Sequence, residues 1–516
     1  MAHGPLQILL QDAPYTDDPL ALFAALTQPG DNSLLLESAE IDTKAGTQSL
    51  LMLDACVRLV CQGRTVTLTA LNNNGLPALD LVAQALGGER LAEQLVVTFA
   101  KADDTLDEDN RLKAPSVLET LRLILTRFNA DLGPQHIFMA GTFAYDLIAS
   151  FEQLAEVPQG INTCPDFCFY LAETLITLDH KQETAHLSAC VFDSAEQPRL
   201  AERLNQLSHA CGEQHPEPIA DTQLHGHIEA SKSDREFKRD VNDLKQHIKD
   251  GNIFQVVPSR SFSLPCPRPL AAYRKLKQTN PSPYLFYVND QDFTLFGASP
   301  ESSVKFDHAS RQVEMYPIAG TRKRGINPDG SINLDLDGRI ELDLRQDAKE
   351  TAEHLMLVDL ARNDIARISE PGSRYVKDLL SVDRYSHVMH LVSRVVGTLR
   401  HDLDALHGYQ ACMNMGTLTG APKIRASALI REVEQQRRGS YGGAVGYVNG
   451  QGDMDTCIVI RSAFVSDGVA HVQAGAGVVY DSDPQSEADE TRNKAAAVLN
   501  AIALAHGTTL AEVSHD

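Results

Sequence analysis

Short apolar runs come in pairs in the second half of this chain, with Gly- and Asp-containing turns between them. Ser303 to Phe306, Val313 to Tyr316, Gly443 to Val448 and Cys457 to Val465 each read as a strand. Paired strands favour antiparallel sheets over an alternating strand–helix layout, so the expected class is α+β. Helical periodicity appears at Asp234 to Asp250, Asp347 to Ile368, Ala421 to Gln436 and Ser486 to Ala505. A chain of 516 residues exceeds one typical hydrophobic core, so two lobes are expected. His209 to Gly226 has no apolar period and reads as a linker. The expected division is residues 1–208, a linker at 209–226, and a second domain at 227–516.

The net charge of -23 makes nucleic-acid binding an unsuitable role. It also means that an anionic substrate would need local cations at its site. The nine Cys form no C-x-x-C pair, which fits reduced thiols in the cytoplasm. The N-terminal segment lacks a basic n-region and is not expected to be a signal peptide. The apolar stretch at Ala495 to Ala505 is interrupted by Asn500 and is shorter than the ~20 residues a membrane span needs.

Two acidic pairs invite a metal. Glu350 with Glu353, and Glu487 with Glu490, are each spaced to share a helix face. Four such carboxylates could hold one hard divalent cation. The same spacing also suits helix starts, with Asp347 capping towards Glu350 and Ser486 as a cap before Glu487. Glu37 with Glu40 repeats the spacing, so spacing alone does not single out a metal site. On a strand, His390 shares a face with Val392 and Arg394 and opposes His387. It can serve as a base near neutral pH or as a structural residue. GTLTGAPK departs from the phosphate-loop spacing, and QAGAGVVYDS lacks the third Gly of a dinucleotide fingerprint. Both remain places where backbone can approach a ligand, or ordinary turns. Arg461 and Lys494 are candidate anion clamps or members of surface ion pairs.

The ordered run GNIFQVVPSR, PSPYLFY, FGASPES, YPIAGTRKRG, DAKETAEHLMLVDLARND, HVMHLVSRVVG, MGTLTGAPK, YGGAVGY, DTCIVIRSA, QAGAGVV and DETRNKAAA resembles the chorismate-utilising enzymes. Within them it is most similar to the anthranilate-forming branch. The likeness is dense from about residue 228 to 503, and LLLESAE at Leu34 to Glu40 extends it to the N-terminal region.

The resemblance implies an α/β sandwich of orthogonal antiparallel sheets with outer helices. It implies Mg²⁺ on Glu353 and Glu490, supported by Glu350 and Glu487 through water. Gly320, Thr321, Tyr441, Arg461, Gly475, Ala476, Gly477 and Lys494 match substrate-binding positions. Glu301 matches the acid that protonates the departing 4-hydroxyl. His390 matches the base that takes the C2 proton during pyruvate loss, with Thr417 beside it. Relatives that add water carry a Lys where Gln255 stands, and one type of aminating relative carries a nucleophilic Lys where Ala319 stands. Ammonia is therefore the expected nucleophile.

No Cys sits in a glutaminase elbow, so a separate glutamine amidotransferase subunit (component II) is implied, in a hetero-oligomer such as a heterotetramer. Ser38, with Pro283, Tyr284 and Leu285, matches an allosteric pocket for L-tryptophan. Two other readings compete: an enzyme that stops at the aminated intermediate (an aminodeoxyisochorismate synthase), and a non-catalytic tryptophan-sensing subunit.

Overall fold

Two long strands, Gln48–Gln62 and Phe167–Asp179, run antiparallel along their whole length and form the spine of the fold. Their register shifts between Met52 and Val57. A bulged strand can bend there and serve two sheets. The computed structural model describes residues 6–38, 48–103, 105–128, 133–218, 226–327, 329–385 and 388–513. Ala39 and Glu40, His387 and positions 219–225 of the expected linker lie outside them.

From one half of the spine grows a first sheet. Ser33–Glu37 pairs with Gln48–Gln62, and then follow Tyr284–Asn289, Thr294–Ser299, Ser462–Ser466, Val469–Gly475 and Ser259–Pro265. From the other half grows the second. Phe138–Phe143 pairs with Phe167–Asp179, and then follow Ala444–Asn449, Met454–Ile458, Ser302–Asp307, Gln312–Met315 and Val388–Thr398. Val388–Thr398 also pairs with Ile318–Lys323 and Tyr375–Arg384. Both sheets thus run through strands from before residue 209 and after residue 226.

Side-chain alternation explains how the layers assemble. Phe286 and Val288 face a core shared with Phe138, Val445 and Cys457 of the other sheet. Leu285 and Tyr287 face outward, onto the helices Pro19–Leu26, Gln197–Cys211, Pro269–Thr279 and Pro484–Ala505. Against the second sheet pack Leu76–Leu86, Glu119–Arg127, Ala348–Ala366 and Ala405–Cys412. A strand buried on both faces accounts for the apolar run at Leu34 and Leu35, with Leu36 partly buried beside them. Leu34 and Leu35 are fully buried, and such a side chain contributes roughly 1.5–3 kcal/mol. The result is the α+β sandwich, with antiparallel sheets inside and helices outside.

Four sequence expectations change. The helix Gln197–Cys211 runs three residues into the stretch expected as linker. The run from Cys457 to Val465 is two strands, Met454–Ile458 and Ser462–Ser466, broken where Arg461 takes a φ of +50°. The last long helix is capped by Asp483, which accepts from the Ser486 amide, and Ser486 is already inside it. Asp347 does cap its helix, accepting from the Glu350 amide. The Glu350 side chain, however, turns to Arg322 at 3.0 Å. No described helix is long and apolar enough to cross a membrane. All nine cysteines are free and buried.

Candidate functional site

Glu301 sits in the turn between Thr294–Ser299 and Ser302–Asp307. Its backbone is pinned by Ser299 Oγ, which accepts from its amide at 3.3 Å, and by the Ile458 amide, which donates to its carbonyl at 3.0 Å. Its carboxylate accepts from the Thr417 hydroxyl at 3.0 Å. Burial pushes this carboxyl up to about 7, against the hydrogen bond from Thr417 and the charges of Lys494 and Arg461. At neutral pH it is poised to give up a proton.

His390 lies on Val388–Thr398, in register opposite Thr321. The register shifts at Gly320, whose φ of +75° suits glycine, and this aims Thr321 at the ring. Thr321 Oγ1 and His390 Nδ1 are 2.9 Å apart. Burial lowers the imidazole to about 4, Arg461 adds to the drop, and the Gly320 backbone opposes it. His390 is therefore neutral at physiological pH. Tyr385 meets its ring edge-on, with centroids 5.2 Å apart. The Glu301 charge also reaches Tyr385, so acid and base lie around one tyrosine and one arginine.

Arg461 is buried deeply enough that its guanidinium is pushed below its ordinary value. It donates to the Lys494 carbonyl at 3.3 Å. Its left-handed backbone breaks the strand, a strained conformation of the kind that clusters at functional sites. Arg461 is thus not in a surface ion pair. Lys494 is in one: it pairs with Glu490 at 2.5 Å and donates to the Gly475 carbonyl at 3.1 Å.

The glycines leave room. A Cβ on Gly475 would lie 3.0 Å from the Tyr441 hydroxyl, and one on Gly477 would lie 3.5 Å from Glu353. Ala476 is buried between them, its amide bonded to the Pro258 carbonyl at 3.1 Å.

The carboxylates of the two acidic pairs feel one another. Burial raises Glu353, and the charges of Glu350 and Glu490 raise it further. Burial also raises Glu487, with Glu490 adding. Among the described residues no three Asp, Glu, His or Cys side chains stand close enough to cage a metal on their own. The donor set fits Mg²⁺ bound by one or two carboxylates, water and substrate.

The Thr417 hydroxyl bonds Glu301, and the His390 ring meets the Thr321 hydroxyl. Three site neighbours escaped sequence reasoning. Tyr385 carries no local signal. Arg322 bonds Asp347 and Glu350, and its basic GTRKRG context was the available clue. Gln255, noted only for what it replaces, donates to Glu353 at 3.2 Å.

The expected inhibitor residues lie elsewhere, together. Ser38 hydrogen-bonds Gln48, directly after the strand Ser33–Glu37, in which Glu37 opposes Leu285. Leu285 thus stands opposite the residue before Ser38, with Tyr284 and Pro283 next in its chain.

A family model described as chorismate binding enzyme matches residues 83–500. The chain is 58% identical over 510 residues to anthranilate synthase component 1 of Vibrio cholerae, covering 98% of this chain and 97% of that one. It is 56% identical to the Escherichia coli protein of the same name, covering 97% and 98%. The crystal structure of anthranilate synthase component I from Streptococcus pneumoniae superposes with a TM-score of 0.69 at 30% identity, over 92% of this chain and 96% of that one. The menaquinone-specific isochorismate synthase of Escherichia coli shares the fold at 17% identity, with a TM-score of 0.67 over 97% and 95%. The chain belongs to the chorismate-binding enzyme family, with anthranilate synthase component 1 proteins as full-length relatives.

Proposed function

We propose that this chain converts chorismate and ammonia to anthranilate and pyruvate, as the first step of the tryptophan branch. The observation that carries the reading is an acid and a base shifted in opposite directions beside one arginine. The Glu301 carboxyl is up to about 7 and the His390 imidazole down to about 4. Such divergence marks separate acid and base roles. The full-length likeness to anthranilate synthase component 1 proteins supports it.

Arg461 and Lys494 offset the charge of a dianionic substrate, and Gly475 and Gly477 let backbone approach it. Mg²⁺ on Glu353 and Glu490, with Glu350 and Glu487 acting through water, supplies further positive charge for a substrate carboxylate. In the first stage ammonia bonds to C2, the C4–O bond breaks, and Glu301 gives its proton to the leaving hydroxyl. The added nitrogen loses one proton to solvent. In the second stage the neutral His390 ring takes the C2 proton, the C3–O bond breaks, and enolpyruvate gains a proton to become pyruvate. Aromatisation drives this stage, so a weak base suffices.

Ammonia comes from a glutamine amidotransferase partner, in a heterotetramer. The Ser38 pocket binds L-tryptophan as a feedback inhibitor, with residues 1–208 as the regulatory domain and 227–516 as the catalytic one. Nine free, buried thiols fit a cytoplasmic setting. The test is purified chain with chorismate, Mg²⁺ and an ammonium salt. Anthranilate fluorescence is the expected result, and its absence overturns the reading.

A further inference from the structure

A narrow cleft of about 20 Å³ reaches Glu301 and Thr417, and among the described residues its lining includes none of His390, Thr321, Tyr441 or Arg461. Its wall is mostly apolar, with Leu357, Leu360 and Ala361 from the helix Ala348–Ala366, and Met415, beside Ser302 and Tyr316. Asp364 of the same helix also lines it, its carboxylate held by Lys423 Nζ at 2.6 Å. Carboxyl groups therefore border a greasy passage.

These walls select what can pass. A dianion would lose its hydration against leucine and methionine. Water is small enough to enter, since a site of about 10–15 Å³ by this measure holds one molecule. The proposed chemistry creates the need for such a passage. Once the C4–O bond has broken, the departing oxygen has become water, and Glu301 is a carboxylate without its proton. That water must leave and a solvent proton must return before the next turnover.

We propose that this cleft is the outlet for the water formed at Glu301 and the inlet for the proton that restores it, an inference that rests on the reaction assigned above. The arrangement separates traffic: substrate meets the arginine side of Glu301, and solvent serves the acid through the apolar side.

The test is to plug the cleft away from the reacting groups. Leu360 Cδ1 lies 2.8 Å from where a Gly416 Cβ would stand, so it borders the passage at Gly416. In the assay with chorismate, Mg²⁺ and ammonium, Leu360→Trp should lower kcat by ~10-fold, with KM for both substrates unchanged. The solvent deuterium isotope effect on kcat should rise, because proton return becomes limiting. Leu360→Ala should keep both parental values. Ala361→Met is a second plug, to be used if Leu360→Trp lowers the melting temperature. Plugged variants that melt like the parent and keep its kcat and isotope effect would overturn the proposal. A raised KM for ammonium at constant kcat would also overturn it, marking the cleft as an ammonia inlet. If the parent itself makes no anthranilate, the reaction reading fails first and this proposal falls with it.

Discussion

Thr321 Oγ1 and His390 Nδ1 lie 2.9 Å apart across one pair of antiparallel strands. In the tautomer whose Nδ1–H donates to the Thr321 hydroxyl, Nε2 is the nitrogen that can take a proton. His390→Ala should slow pyruvate loss by ~10²–10⁴-fold, or about 3–5 kcal/mol, so that aminated intermediate accumulates. Thr321→Val should do the same to a smaller degree by freeing the ring. Rapid-quench product analysis separates intermediate from anthranilate, and parental anthranilate rates in both variants would refute the role.

Glu301 must be protonated to act. With its carboxyl at about 7, kcat/KM should fall as pH rises through that value. His390 must be neutral, so the acid limb should come only as pH falls towards about 4. Glu301→Gln should block amination and leave no alkaline limb in any residual activity. A parental pH profile in that variant would contradict the assignment.

Chelation should abolish turnover, and Glu490→Gln or Glu353→Gln should mimic it by removing a charged ligand. Isothermal titration with Mg²⁺ in the presence of chorismate provides a readout independent of rate. Full activity in excess chelator would dismiss the metal.

The isolated chain should use ammonium but not glutamine, because no cysteine stands in a glutaminase elbow and all nine are buried. Glutamine-dependent turnover by the chain alone would contradict this.

L-Tryptophan should weaken chorismate binding, and chorismate should weaken tryptophan binding by the same factor. A structural route exists: Leu285 opposes Glu37, Tyr284 opposes Ser299, and Ser299 bonds the Glu301 backbone. Coupling of ~1–3 kcal/mol corresponds to a change of roughly 5–150-fold. The chain has no Trp, so bound tryptophan fluoresces without a protein background of that kind. Ser38→Arg should relieve inhibition while leaving uninhibited turnover near parental. Equal tryptophan affinity with and without saturating chorismate would show that the sites are uncoupled.

The sequence by itself determined the elements and their faces. Strand pairs, the helices Asp234–Lys249 and Ala348–Ala366, and the acids spaced to share a helix face depend on periods of two and 3.6 residues, which are written locally. The ordered motifs carried the family. What only the tertiary structure decided is who meets whom. Thr417 meets Glu301 across 116 residues of chain, Gln255 meets Glu353 across 98, and Thr321 meets His390 across 69. Those contacts depend on strand register, on the bulge at Gly320, and on which helix covers which sheet. No local pattern encodes these. The same holds for charge state. A glutamate becomes an acid at about 7 and a histidine stays neutral because the folded layers take both out of water.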